Sequence, residues 1–172
     1  MDPGESIHFT ALLDNFNSNL WGYHIPIPEP IAQIFLSQGD RRVVCRLNDA
    51  VEFQCALMPK GDGSYFININ KKLRDKLGLK LGMQVQASLR KDDSEYGLPM
   101  PEELAELLQQ DEDGNALFHA LTPGKQRTLL YIVGSPKTSD TRLRRAIVVV
   151  EHLKSNGGKI NFRRLNEDMK SQ

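Results

Sequence analysis

A chain of 172 residues with 40% hydrophobic and 26% charged content has globular composition, enough for one ordinary domain or two small ones. Twenty-two bases balance twenty-two acids, and a formal charge of zero argues against bulk affinity for nucleic acid or anionic lipid. No apolar run approaches the roughly 18–20 residues of a membrane-spanning helix. The opening MDPGESIHFTALL has two acids, no base and no signal-type hydrophobic block, so a cytoplasmic protein without membrane insertion is expected.

Residues 6–96 read as mostly β, with short helical punctuation. SIHFTALL predicts a first strand, and WGYHIPI a second that Pro26 makes an edge or irregular one. PEPIAQIFLSQGD sets Ile31, Ile34 and Phe35 at helical spacing before a glycine. RRVVCRLNDAVEFQCALMP predicts two strands joined at Asn48-Asp49. Cys45 and Cys55 fall on alternating apolar positions of those strands, the pattern of buried core thiols. KGDG reads as a tight turn, SYFINI as a strand, KKLRDKLGL as a short helix and QVQASLR as the last strand.

Residues 23–47 and 65–89 also match each other at an offset of 42. Tyr23, Ile25 and Ile27 meet Tyr65, Ile67 and Ile69; Ile31 and Phe35 meet Leu73 and Leu77; Val43, Cys45 and Leu47 meet Val85, Ala87 and Leu89. Only the loop glycine slips, Gly39 against Gly82. Two copies of strand, short helix, turn and strand, sharing a core that neither closes alone, predict a pseudo-twofold β-barrel.

After Tyr96, GLPMP is a Pro/Gly hinge, and residues 97–172 turn helical. PEELAELLQQDEDG opens with proline and acids, as a helix start prefers. NALFHAL predicts a second short helix; TPGKQRTLLYIVGS a third, capped by Thr122; and SDTRLRRAIVVVEHLKSNGG a fourth, with Ser139 as N-cap. Four helices with short links suggest a compact cluster. The closing FRRLNEDMKSQ is polar and reads as a frayed end.

Catalysis finds little support. His8, His24, His119 and His152 lack metal-ligand spacing, and the sequence holds no HExxH, GxSxG or P-loop. No enzyme activity, metal or cofactor is expected. Trp21, the only tryptophan, reads as core or domain-interface filler.

The charge distribution is more telling. Six acids and no base lie between Pro101 and Asp113, whereas eleven bases and four acids follow from Pro123 onward. Three of those bases, Arg142, Arg144 and Arg145, crowd the first turn of the fourth helix, where exposed cations oppose the helix dipole by about 0.3–1 kcal/mol each. At 100° per residue the apolar face comprises Leu143, Ala146, Ile147, Val150 and Leu153. Arg142 sits on its edge, Arg145 further round and Arg144 on the far side. Two readings follow. Either Arg142 or Arg145 pairs with Glu102, Glu103 or Glu106, at an interface to which Trp21 also contributes, or Lys137, Thr141, Arg142 and Arg145 line a notch for an anionic ligand or a partner.

Two resemblances extend these readings. ININKKLRDKLGLKLGMQVQASLRKD resembles the swapped-hairpin unit of the AbrB, MazE and MraZ type, whose fold is a double-split β-barrel built from two chains. The whole of residues 6–96 resembles a domain of unknown function of that class in which one chain supplies both halves. LPEELAELL, FHALTPGKQRTLLYIVGSPK and TRLRRAIVVVEHLKSNGGK resemble the helical domain of the YdeI/OmpD-associated, or bacteriocin-protection, family, although Val133 and Ser135-Pro136-Lys137 stand where that family often has a tryptophan and an alanine–lysine pair. The resemblances imply an α+β chain, with an N-terminal double-split β-barrel over 1–96 and a helical domain over 97–172. They also imply a poorly defined role in stress or antimicrobial-peptide resistance.

The function class expected is a monomeric, non-enzymatic binding or interaction module for an unknown protein or small anionic ligand. The alternative is a DNA-binding regulator of AbrB type, with a small-molecule enzyme third. Against DNA, the cluster Lys71, Lys72, Arg74, Lys76 and Lys80 surrounds only the second short helix, and the matching EPIAQIFLSQ carries no base.

Overall fold

A computed structural model describes residues 5–16, 22–39 and 41–171. The architecture is α+β, with eight strands in two antiparallel sheets and seven helices among the described residues. The chain divides into two compact units, Met1–Asp93 and Ser94–Gln172.

The first unit runs β1 (Ile7–Leu12), β2 (Asp14–Asn15), β3 (Tyr23–Ile27), α1 (Glu29–Leu36), β4 (Arg42–Leu47), β5 (Val51–Ala56), β6 (Met58–Pro59), β7 (Tyr65–Asn68), α2 (Lys71–Leu77) and β8 (Gln84–Lys91). One sheet has the order β1-β8-β4-β5 and the other β2-β3-β7-β6. The barrel expected from the sequence is not a closed one: among the described residues the two ladders stay separate. The reason lies at Leu13 and Leu57, both buried, where the chain leaves the first sheet and enters the second. Each long strand is thereby cut into a six-residue and a two-residue piece.

Strand pairing makes the internal repeat explicit. Ile25 lies opposite Ile67, and Arg46 opposite Ser88, so at both places a residue faces its own counterpart 42 positions on. The repeat also reaches further back than the sequence comparison. Leu13 donates its N–H to Met83 O at 2.9 Å, and Leu57 donates to Arg41 O at 2.8 Å, which equates β1 and β2 with β5 and β6. Alternation in the paired strands delivers Ile25, Val43, Cys45, Leu47, Ile67, Val85 and Leu89 to one core, all fully buried. Each large aliphatic side chain so buried contributes about 1.5–3 kcal/mol. The Cys45 thiol is buried and that of Cys55 half-buried, and burial pushes both up, so both stay protonated. The β4–β5 connection is three residues long, Leu47 lying opposite Val51, and its tight turn is carried by Asn48 and Asp49 at φ 50° and 52°, a left-handed pair closed by Ala50 N–H donating to Leu47 O at 3.0 Å.

The second unit is helical: α3 (Glu102–Gln110), α4 (Glu112–His119), α5 (Pro123–Gly134), α6 (Ser139–Ser155) and α7 (Phe162–Lys170). Helices α4 to α7 are N-capped by side chains: Asp111 accepts from Gly114 N–H, Thr122 from Lys125, Thr138 from Thr141 and Asn161 from Arg164. Thus Thr138, not Ser139, caps α6, and Asp111 divides PEELAELLQQDEDG between two helices.

Helix α6 is the centre of this unit, packed by α3, α4, α5 and α7. It therefore buries Val148, Val149 and His152 along with Ala146, Val150 and Leu153, while Leu143 and Ile147 stay exposed. A single apolar face was the wrong template for a helix with neighbours on several sides. Close approach at Gly114 makes room for α4: a Cβ there would stand 2.7 Å from Val150 Cγ1. The C-terminal segment read as frayed is a helix, because Leu165 is fully buried and Met169 packs one turn further along the same face.

Candidate functional site

The arginines of α6 answer the charge problem they pose. Arg142 donates from Nε to Glu103 Oε1 at 2.9 Å and from Nη1 to Pro136 O and Lys137 O at 3.1 and 2.9 Å. Arg145 donates from Nη1 to Ile132 O at 2.9 Å and to Ser135 Oγ at 3.4 Å. These carbonyls belong to the last turn of α5 and the link after it, where helix carbonyls lack intrahelical partners. The same cations that oppose the dipole at the start of α6 therefore complement the negative end of α5. Glu103 also accepts from Ser139 Oγ at 2.8 Å. Its own backbone N–H, the Ser139 hydroxyl and Arg142 together hold its carboxyl below the usual range.

The sequence-named residues are thus distributed unevenly. Glu103 meets Arg142 with one oxygen rather than as a two-pronged pair. Glu106 instead accepts from Gln110, and Glu102 is exposed. Thr141 Oγ1 accepts from Thr138 Oγ1 and from Arg144 Nη2. The Lys137 side chain is exposed. Trp21 lies outside the described residues.

Beside the Arg142–Glu103 pair is a cleft of about 470 Å³. Leu98, Pro99, Met100 and Pro101 line it from the segment leading into α3, and Leu130, Tyr131 and Gly134 line it from α5. Glu102, Glu103, Ser135 and Arg142 supply its polar lining. Leu130 is buried, whereas Tyr131, on the same helix, is 68% exposed. A large aromatic ring left in water over an apolar hollow marks a place where a ligand can gain contact area. The cleft is not legible in the sequence, where GLPMP reads as a hinge and nothing marks Tyr131 apart from its neighbours in α5.

The nearest thing to a catalytic pair is elsewhere in this unit. His119 Nδ1 lies 2.9 Å from Asn115 O and Nε2 lies 2.8 Å from Tyr96 Oη, so the ring donates to the carbonyl and accepts from the phenol. Burial, with Glu95 nearby, raises the Tyr96 phenol, the opposite of an activated phenolate. Among the described residues no group of three or more His, Cys, Asp or Glu side chains is placed to hold a metal ion. Nor, among them, is any helix long and apolar enough to cross a membrane.

Fold and site together define a two-unit α+β protein whose helical unit is cross-braced by arginines around an apolar, acid-rimmed cleft. Residues 98–156 match the family described as bacteriocin-protection, YdeI or OmpD-associated, and residues 9–89 match a domain of unknown function (DUF1905). The C-terminal unit therefore belongs to the YdeI/OmpD-associated family, behind an N-terminal domain of unknown function. Every residue lining the cleft lies inside the family match, whereas α7 lies beyond it. No curated protein matches the chain.

Proposed function

We propose that this is a non-enzymatic binding protein whose helical unit takes a cationic peptide, seating an apolar side chain of the peptide in the cleft beside Tyr131. The observation that carries the reading is Tyr131, 68% exposed over a hollow walled by Leu98, Met100, Pro101 and Leu130. The charge at its rim supports a cation. Glu102 is exposed there, while Arg142 and Arg145, the two arginines of the alternative anion notch, spend donors on Glu103, on the Lys137 carbonyl of the α5–α6 link and on the Ile132 carbonyl of the α5 end. The family description, bacteriocin protection, supports a peptide as ligand. A cytoplasmic, monomeric protein remains part of the proposal.

For the N-terminal unit we keep the double-split barrel reading in its single-chain form. The twofold pairing at Ile25–Ile67 and Arg46–Ser88 supports it, as do the sheet switches at Leu13 and Leu57.

Fluorescence anisotropy with a labelled amphipathic Lys/Leu peptide tests the binding role. Tyr131→Ala and Glu102→Lys are expected to weaken binding about tenfold each, since an exposed aromatic anchor and its neighbouring charge dominate such sites. Unchanged affinity in both variants contradicts the proposal.

A further inference from the structure

Helix α7 packs on α6, and its start is tied by one bond. The backbone N–H of Asn161, the N-cap of α7, donates to Nε2 of His152 at 3.1 Å. Only an unprotonated nitrogen accepts, so the neutral ring carries its proton on Nδ1. Nδ1 is buried and has no hydrogen-bond partner among the described residues, and Asp168 Oδ2 of α7 stands 3.9 Å away, beyond bonding distance. A metal on Nδ1 is excluded by the same bond, because the ring would then hold its proton on Nε2, against the Asn161 donor.

An imidazolium meets the same conflict. A proton from solvent taken up at Nε2 sets two N–H donors against each other at 3.1 Å, and the bond that positions the start of α7 is lost. We propose that His152 is an acid-sensitive latch on α7, whose protonation releases the helix from α6. The charged groups facing the ring from α7 are Asp168 and Arg164, and Glu151 of α6 lines the same hollow of about 260 Å³. Burial lowers the His152 pKa below its ordinary 6.5; Asp168 opposes that shift and Arg164 adds to it. Release uncovers the part of α6 that carries Val148 and His152 itself, both buried while α7 is docked.

Hydrogen exchange by mass spectrometry on the full chain between pH 7.5 and 5, corrected for intrinsic rates, reads the latch locally. The expected result is about tenfold or greater loss of protection across 159–170, with α5 unchanged. His24 lies in the other unit and does not contribute to that peptide. Asp168→Asn should move the midpoint to lower pH and Arg164→Gln to higher pH, while His152→Gln should abolish the transition. Protection of α7 that is constant over this range overturns the proposal. So does a midpoint that neither surface variant moves, or that both move in one direction.

Discussion

Arg142 Nε and Glu103 Oε1 lie 2.9 Å apart, and the same guanidinium holds two carbonyls of the link between α5 and α6. One side chain thus ties α3 to two successive residues in the middle of that link. The side chains are 26% and 12% exposed, so solvent screens the pair only partly. Arg142→Ala is expected to lower the melting temperature by several degrees. Arg142→Lys should restore little of it, because an ammonium cannot serve Glu103 and two carbonyls in the guanidinium's geometry. A thermal melt of the three proteins checks this.

At Gly114, α4 packs closely on α6. A methyl group there would meet Val150 Cγ1 at 2.7 Å and Asp111 Cγ at 3.2 Å. Gly114→Ala should therefore cost about 1–3 kcal/mol by overpacking, despite the better helix propensity of alanine. Urea denaturation measures it.

Acid stability should fall in two stages. His24 and His152 both have folded pKa values lowered by burial, so the unfolded chain binds more protons just below pH 6.5. Their contribution is complete above that pH and is lost as pH falls through the folded values. Glu103 and Asp111 are also lowered, and their contribution is present above the ordinary carboxylate pKa and lost at more acid pH. His24 stacks on Phe16 at 3.8 Å and meets Phe66 edge-on at 5.2 Å. His24→Phe keeps those contacts without a titrating group, and should flatten the first stage as read by denaturation at pH 7.5 and 5.5.

The DNA-binding alternative makes a separate prediction. Lys71 pairs with Asp75 at 2.7 Å, and Arg74 donates to Ile69 O and lies over the Tyr23 ring. Two of the five bases around α2 are thus engaged within the unit, and the twofold-related α1 carries none. Mixed-sequence duplex at low salt should show no salt-sensitive retardation. A retarded band lost on Lys72→Glu would place a nucleic-acid surface on α2.

Much of this was legible in the sequence, and the misses have physical causes. The repeat over 23–47 and 65–89 shows because paired, doubly flanked strands must alternate. Its extension through β1, β2, β5 and β6 escaped because the link from β2 to β3 is two residues longer than that from β6 to β7, so a constant offset loses it. The acids of α3 and the arginines of α6 were recognisable as partners by charge. That Arg145 caps the end of α5 while Arg142 holds the link after it depends on how three helices pack, which no local pattern contains. Helix α7 was missed because three apolar residues, Phe162, Leu165 and Met169, are diluted among charges, although Asn161 before them is a cap signal.

The cleft beside Tyr131 is the centre of the functional account, and mapping the ligand onto the backbone tests it most directly. In an amide NMR titration of the full chain with the amphipathic Lys/Leu peptide, the account predicts saturable shifts confined to residues 98–103 and 130–135, absent in Tyr131→Ala. Shifts centred on α2, or none at peptide concentrations that saturate anisotropy, would contradict it.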